Sequence, residues 1–236
     1  MKPTVQMPSC EDCFHSCNYL FKNLTNQQLE YVSNEKRCNS IKKGTVIYRK
    51  SFGYHDYYKQ QKVKNADIYD LASITKVAAT TISVMRLYDQ GLIDINKPLS
   101  KYLPALQHTN KHGILIRDIM AHQGRLKEWI PFYRKTLKNN LPDSAYYRKD
   151  RSDQFNVQVA DSMFLRSDYP SRIIDSIIRS DLLTKKEYKY SDLGFILLGK
   201  TIETITKQKL EDYVMQNFYK PLNINMGYLP LERFSL

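Results

Sequence analysis

The chain has 236 residues, a formal net charge of +12, 42% hydrophobic residues and 25% charged residues. That length suits one large domain or two small ones, and it buries roughly 70% of the extended-chain surface without help from disulfides or a metal. The composition excludes wholesale disorder, and no apolar run approaches the ~18 residues of a membrane span.

Positive charge is spread along the chain, with pairs such as Lys42–Lys43 and Lys185–Lys186 interleaved with acids. It reads either as a basic solvated surface or as affinity for anions such as nucleic acid or a cell-wall polymer. No basic–aromatic repeat accompanies the 18 tyrosines, so no nucleic-acid partner is expected. All four cysteines (Cys10, Cys13, Cys17, Cys38) lie near the start, a distribution unlike a disulfide-built secreted protein. Cys10-x-x-Cys13-x-x-x-Cys17 reads as reduced thiols or as part of a metal or iron–sulfur site, but it lacks the second Cys or His pair of a structural zinc site. The five histidines show no metal-ligand spacing with acids, so neither a metal nor a cofactor is assigned. Residues 1–17 have no apolar h-region and carry Glu11 and Asp12, so no export signal is expected.

In chain order, Thr25 and Gln28 form a capping box ahead of Leu29 and Val32. Lys42-Lys43-Gly44 marks a turn, and residues 45–54 are β-branched and aromatic, a strand pattern. A long helix is predicted over residues 73–91. It is apolar over most of its girth near its start, which predicts a buried central element, and Gly91 is its stop. A short helix follows at 99–103, stopped by Pro104, and another at 116–122. Residues 141–153 read as a polar surface excursion. Amphipathic or apolar helices are predicted over 173–183, 192–207 and 210–219, so the middle and end are mostly helical with few strands.

Ser73-Ile74-Thr75-Lys76 carries the strongest chemical signal. Positions i and i+3 share a helix face, so hydroxyl and amine meet within hydrogen-bond reach. Serine needs a base to become a nucleophile, and a lysine serves if its surroundings depress its pKa. The helix N-terminus adds N–H groups for a developing oxyanion. The plainer reading is a serine cap followed by a surface lysine. Downstream, Tyr190-Ser191-Asp192 precedes an apolar helix. Tyr190 is placed to shuttle a proton, and Asp192 to pair with Lys76, to bind substrate, or simply to cap the helix.

Together these segments resemble the serine β-lactamase and penicillin-binding-protein superfamily, in its class C and esterase-like branch. The family's motifs are S-x-x-K and Y-x-[ND]. The likeness extends through Tyr88-Asp89-Gln90-Gly91-Leu92-Ile93-Asp94, Lys101-Tyr102-Leu103-Pro104 and Ile116-Arg117-Asp118-Ile119-Met120-Ala121-His122-Gln123 to Tyr219-Lys220-Pro221-Leu222. It is similar to the modules that follow a glycoside hydrolase family 3 domain. The resemblance implies an α/β (α+β) β-lactamase/transpeptidase-like fold, mostly its helical region with an incomplete antiparallel sheet. It implies catalytic roles for Ser73 (acylated nucleophile, whose N–H is half of the oxyanion hole), Lys76 (general base) and Tyr190 (proton transfer), and a substrate-binding role for Asp192. The substrate is then a small-molecule or peptidoglycan-derived amide or ester (a β-lactam, a peptidoglycan peptide or an ester), and the family's usual location is periplasmic or secreted. Where relatives read His-x-[SA]-G-Leu, this chain has His122-Gln123-Gly124-Arg125-Leu126, a departure expected to touch loop geometry.

The family's third motif, K-T-G or H-x-G, is not met before Leu236, and Lys111-His112-Gly113 precedes the second motif. The expectation is a partial serine hydrolase domain at 44–236 with impaired catalysis, self-associating through an unpaired sheet edge; the alternative is an inactive remnant, or a fusion with a cyclic-nucleotide-regulator-like N-terminus and no catalysis. Residues ~10–50 resemble the N-terminus of Crp/Fnr-type regulators, so 1–43 is expected to be a fragment of that type, joined across the Gly44–Lys50 stretch.

Overall fold

The computed structural model describes residues 35–228, with side chains from Lys42 onward. The capping box, the first three cysteines and most of the Crp/Fnr-like stretch lie outside the described residues. The chain divides into two compact units at Asp70/Leu71.

In the first unit, β1 (Glu35–Lys42) pairs antiparallel with β2 (Thr45–Gly53). Lys43 (φ 48°) and Gly44 (φ 78°) both turn left-handed, the conformation a two-residue hairpin needs to match strand twist. The expected boundary at 43/44 therefore falls in the turn of this hairpin. Phe52 and Val63 are buried, and the Val63 N–H donates to the Gly53 carbonyl at 3.1 Å. His55 Nε2 meets Asp67 Oδ2 at 2.8 Å.

The second unit is built around helices. The helix bearing Lys76 opens as a π-helical stretch (Lys76–Thr81) and continues as α1 (Ile82–Asp89). Gly91 (φ 70°) ends it, and the Leu92 N–H returns to the Leu87 carbonyl. Then come α2 (Ile116–Met120), α3 (Tyr169–Arg179), α4 (Asp192–Thr206) and α5 (Leu210–Val214), the last continuing as a π-helical turn, Met215–Tyr219. The core is a cluster of Leu99, Ile116, Ile119, Ile177, Leu193 and Leu198 with their neighbours. Leu193, Leu197, Leu198 and Ile202 recur at helical spacing, which gives α4 a continuous buried face. Gly194 lets α4 approach α2, since a Cβ there would lie 2.6 Å from Ile119 Cγ2.

Several expectations need correction. The helix at 73–91 is not buried all round: Ala79, Val84 and Leu87 are covered, but Ile74, Val77 and Met85 are 60–63% exposed. Only one of its faces is packed among the described residues. Residues 99–103 form a 3₁₀ turn (Leu99–Lys101), and Pro104 opens a second one (Pro104–Leu106) rather than simply ending the first. Proline fits that first position because its missing N–H has no partner there anyway.

The polar stretch 141–153 and the residues on either side of it also hold more strand than expected. β3 (Leu137–Lys138) pairs with β4 (Leu141–Pro142), and β5 (Tyr147–Arg148), β6 (Phe155–Ala160) and β7 (Met163–Arg166) form a small antiparallel sheet in the order β5–β7–β6. The fold class is otherwise as expected, helices with small antiparallel sheets.

Lys111 is fully buried. Its ammonium donates to Asn110 Oδ1 (2.8 Å), to the Ile178 carbonyl (3.0 Å) and to the Ser180 carbonyl, and so caps the C-terminal end of α3. Its site in the fold is structural.

Candidate active site

Ala72 precedes the serine in a left-handed conformation (φ 42°), which a residue with a Cβ adopts only at a cost of about 1 kcal/mol or more. Three turn hydrogen bonds then start the helix: the Ile74, Thr75 and Lys76 N–H groups donate to the carbonyls of Leu71, Ala72 and Ser73. The Ser73 N–H has no acceptor among the described residues. One turn on, Lys76 Nζ donates to Ser73 Oγ at 3.0 Å, the meeting that the i, i+3 spacing predicts.

Tyr190 arrives from the other side, just ahead of α4. Ser191, not Asp192, is the α4 N-cap, and its Oγ accepts from the Leu193 N–H at 3.2 Å. The same hydroxyl donates to the Lys127 carbonyl at 2.6 Å. The Asp192 N–H donates to the Glu128 carbonyl, and the Lys189 N–H to the His122 carbonyl. These bonds clamp residues 189–192 against the loop 122–128 and fix Tyr190 between them. Lys76 Nζ lies 5.0 Å from the Tyr190 ring centroid and 6.0 Å from that of Phe195.

Asp192 Oδ1 is 2.6 Å from Lys76 Nζ. The contact is one of charge rather than of alignment, since this buried oxygen makes no well-angled hydrogen bond. Of the three openings left by the sequence, capping belongs to Ser191 and pairing with Lys76 is observed. Burial pulls the Lys76 ammonium toward losing its proton, but Asp192 and Tyr190 together outweigh it and hold its pKa above the ordinary lysine value. The lysine therefore rests protonated, contrary to the depressed pKa that a resting general base needs. Hydrogen bonding to Lys76 and then Ser73 lowers the Tyr190 phenol.

His122 is the residue sequence reasoning left out of the site. Its ring lies 4.5 Å from that of Tyr190 and 5.2 Å from that of Phe195. Its Nδ1 accepts from the Ser191 N–H at 3.2 Å, and its backbone is left-handed (φ 54°). Burial first, and then the Lys76 charge, lower its pKa, so it stays neutral and braces Tyr190. The signal was present in the His122–Leu126 departure, but loop geometry alone does not say which ring a histidine touches. Lys111, from the K-x-G string, is not among the groups that meet here.

Ser73, Lys76, Asp192 and Phe195 open onto a cavity of about 680 Å³, walled by Ile173 and Ile174 of α3 and by Ile196 of α4. Eight of its sixteen lining residues are polar, and of these Ser73, Lys76 and Asp192 meet one another, while Lys200 and Glu203 line it farther along α4.

The Beta-lactamase family matches residues 40–233 of the chain. A protein of Bacillus subtilis (strain 168) named N-acetylmuramyl-L-alanine amidase is 29% identical over 209 residues, which span 82% of this chain and 42% of that protein. FmtA of Staphylococcus aureus aligns in structure with a TM-score of 0.60 and 21% identity, over 91% of this chain and 49% of that one. The octameric penicillin-binding protein homologue of Pyrococcus abyssi aligns with a TM-score of 0.62 and 17% identity, over 95% and 46%. The chain thus spans less than half the length of each of these relatives. With the match running from β1 past α5, and with the S-x-x-K and Y-x-[ND] segments meeting in one site, the chain belongs to the Beta-lactamase family, within the serine β-lactamase and penicillin-binding-protein superfamily.

Proposed function

We propose that the chain is a serine acyl hydrolase acting on an amide or ester, with peptidoglycan-derived peptides as the favoured class. The Ser73 Oγ attacks the acyl carbonyl as its proton passes to an unprotonated Lys76, forming a new O–C bond. The amine or alcohol departs with a proton supplied through Tyr190, and water then hydrolyses the acyl-enzyme. The free Ser73 N–H is suited to the developing oxyanion.

The observation that carries this reading is the 3.0 Å contact between Lys76 Nζ and Ser73 Oγ beside the Tyr190 ring. The amidase name of the Bacillus subtilis relative supports the amide and the muramyl-peptide class. A fluorescent penicillin and an activated ester test it. Covalent labelling of the wild type and none of Ser73→Ala is the expected result; equal labelling of both, or of neither, rejects it.

A further inference from the structure

We infer that a second groove, on the far side of α3, is an oxyanion subsite that takes a phosphate or carboxylate group of the same ligand whose acyl carbonyl meets Ser73. The groove has a volume of about 700 Å³ and lies between the 3₁₀ turn Phe132–Thr136 and α3. Its cationic side chains are Arg134 and Lys135 from the turn and Arg172 and Arg179 from α3, against a single carboxylate, Asp175. Arg172 is engaged by Asp168 at 2.7 Å. Arg134, Lys135 and Arg179 have no carboxylate within ion-pair reach among the described residues.

Two features make this more than a basic surface. Its floor is rigid and aromatic: the Tyr146 and Tyr169 rings meet edge to face at 5.5 Å, and the Tyr169 hydroxyl donates to the Phe132 carbonyl at 2.7 Å. Such a low-dielectric wall strengthens the field of the cations above it. The second feature is Lys111. A helix C-terminus ordinarily attracts a nearby arginine, but the Ile178 and Ser180 carbonyls are already taken by the buried ammonium. Among the described residues Arg179 is left with its donors unspent, and its planar fork matches an oxyanion bidentately.

The placement supplies the link to the other cavity. Ile173 lines both, with Ser171 and Ile174 of α3 on one cavity and Arg172, Asp175 and Arg179 on the other, so the two adjoin along that helix. A ligand laid across α3 thus presents its acyl group on one side and an anionic group on the other. That link rests on the acyl-hydrolase reading; anion binding in the groove does not.

Calorimetric titration of the full chain with tripolyphosphate, and separately with tricarballylate, tests the subsite. Both are measured against Arg134→Gln/Arg179→Gln, the single variant Lys135→Gln, and a control that removes charge elsewhere, Lys42→Gln/Lys43→Gln. The expected result is saturable binding that weakens at least about tenfold in the double variant, falls less in Lys135→Gln and is unchanged in the control. The tighter of the two probes identifies phosphate or carboxylate as the source. No saturable binding to the wild type, or equal loss in the control, overturns the subsite. If the double variant does not fold, undiminished binding by Lys135→Gln overturns it instead. Binding lost in the groove variants alongside unlabelled Ser73 leaves the subsite standing and rejects the acyl chemistry.

Discussion

Lys76 stands between opposing influences, and the balance sets a pH dependence. Burial favours the neutral amine, while the Asp192 carboxylate at 2.6 Å and the Tyr190 phenol favour the ammonium and prevail. A base must be unprotonated to accept the Ser73 proton, so acylation should rise with pH through the neutral range and beyond. Asp192→Asn removes the anion and keeps the shape. The folded-state pKa of Lys76 then falls, a larger fraction of the amine is free at neutral pH, and the rising limb of the acylation profile moves to lower pH. The expected displacement is toward lower pH, the direction that loss of a close anion beside an ammonium dictates. Stopped-flow acylation by an activated ester from pH 6 to pH 10 measures it; an unmoved or raised midpoint contradicts the assignment. His122 offers a second test at this scale. His122→Ala removes the ring that supports Tyr190 and the acceptor for the Ser191 N–H. The acylation rate should fall about tenfold or more, as expected when a catalytic group loses its support, while the affinity for a substrate analogue changes little. A loss confined to affinity, read from the KM-against-kcat split, contradicts the bracing role.

Among the elements, α4 carries the most, because one helix supplies both core and site. Its buried face meets α2 across Gly194, where an added Cβ would lie 2.6 Å from Ile119 Cγ2. Gly194→Ala gains helix propensity worth up to about 1 kcal/mol, but the overlap costs about 1–3 kcal/mol in displaced packing, so a net loss is expected. Urea denaturation followed by circular dichroism should show a lowered midpoint with an unchanged slope; a raised midpoint means that Ile119 moves aside freely. This helix was legible from residue types alone, since its apolar spacing and its site-bearing neighbour Tyr190 fall in one short stretch, although the cap read at Asp192 belongs to Ser191. The Ser73–Lys76 contact was legible for the same reason, being local. The β5–β7–β6 sheet was not. Its strands are short, its hairpin partners are paired with register shifts, and the polar residues around 150 mask the alternation in Phe155–Ala160. Lys111 and His122 were opaque for a different reason. Each acts on residues about 70 positions away, and no local pattern encodes which carbonyl or ring a side chain will meet.

For the whole molecule, an exposed apolar stripe and a large net charge act against each other. Ile74, Val77, Met85 and Tyr88, all from the helix that carries Lys76, are more than half exposed. Clustered apolar side chains of this kind favour contact with a second copy. The net charge of +12 opposes it, because two copies approaching each other repel over a Debye length of about 30 Å at 0.01 M salt but only about 8 Å at 0.15 M. Association of the full chain should therefore strengthen as salt rises, the reverse of an association driven by ion pairs. Sedimentation velocity at low and high sodium chloride reads this directly, with a larger weight-average mass expected at high salt. Val77→Lys/Met85→Lys places two further cations on the stripe and should hold the chain monomeric at both salt concentrations. A wild type that stays monomeric at high salt, or a double variant that associates as readily as the wild type, shows that the stripe is not the contact.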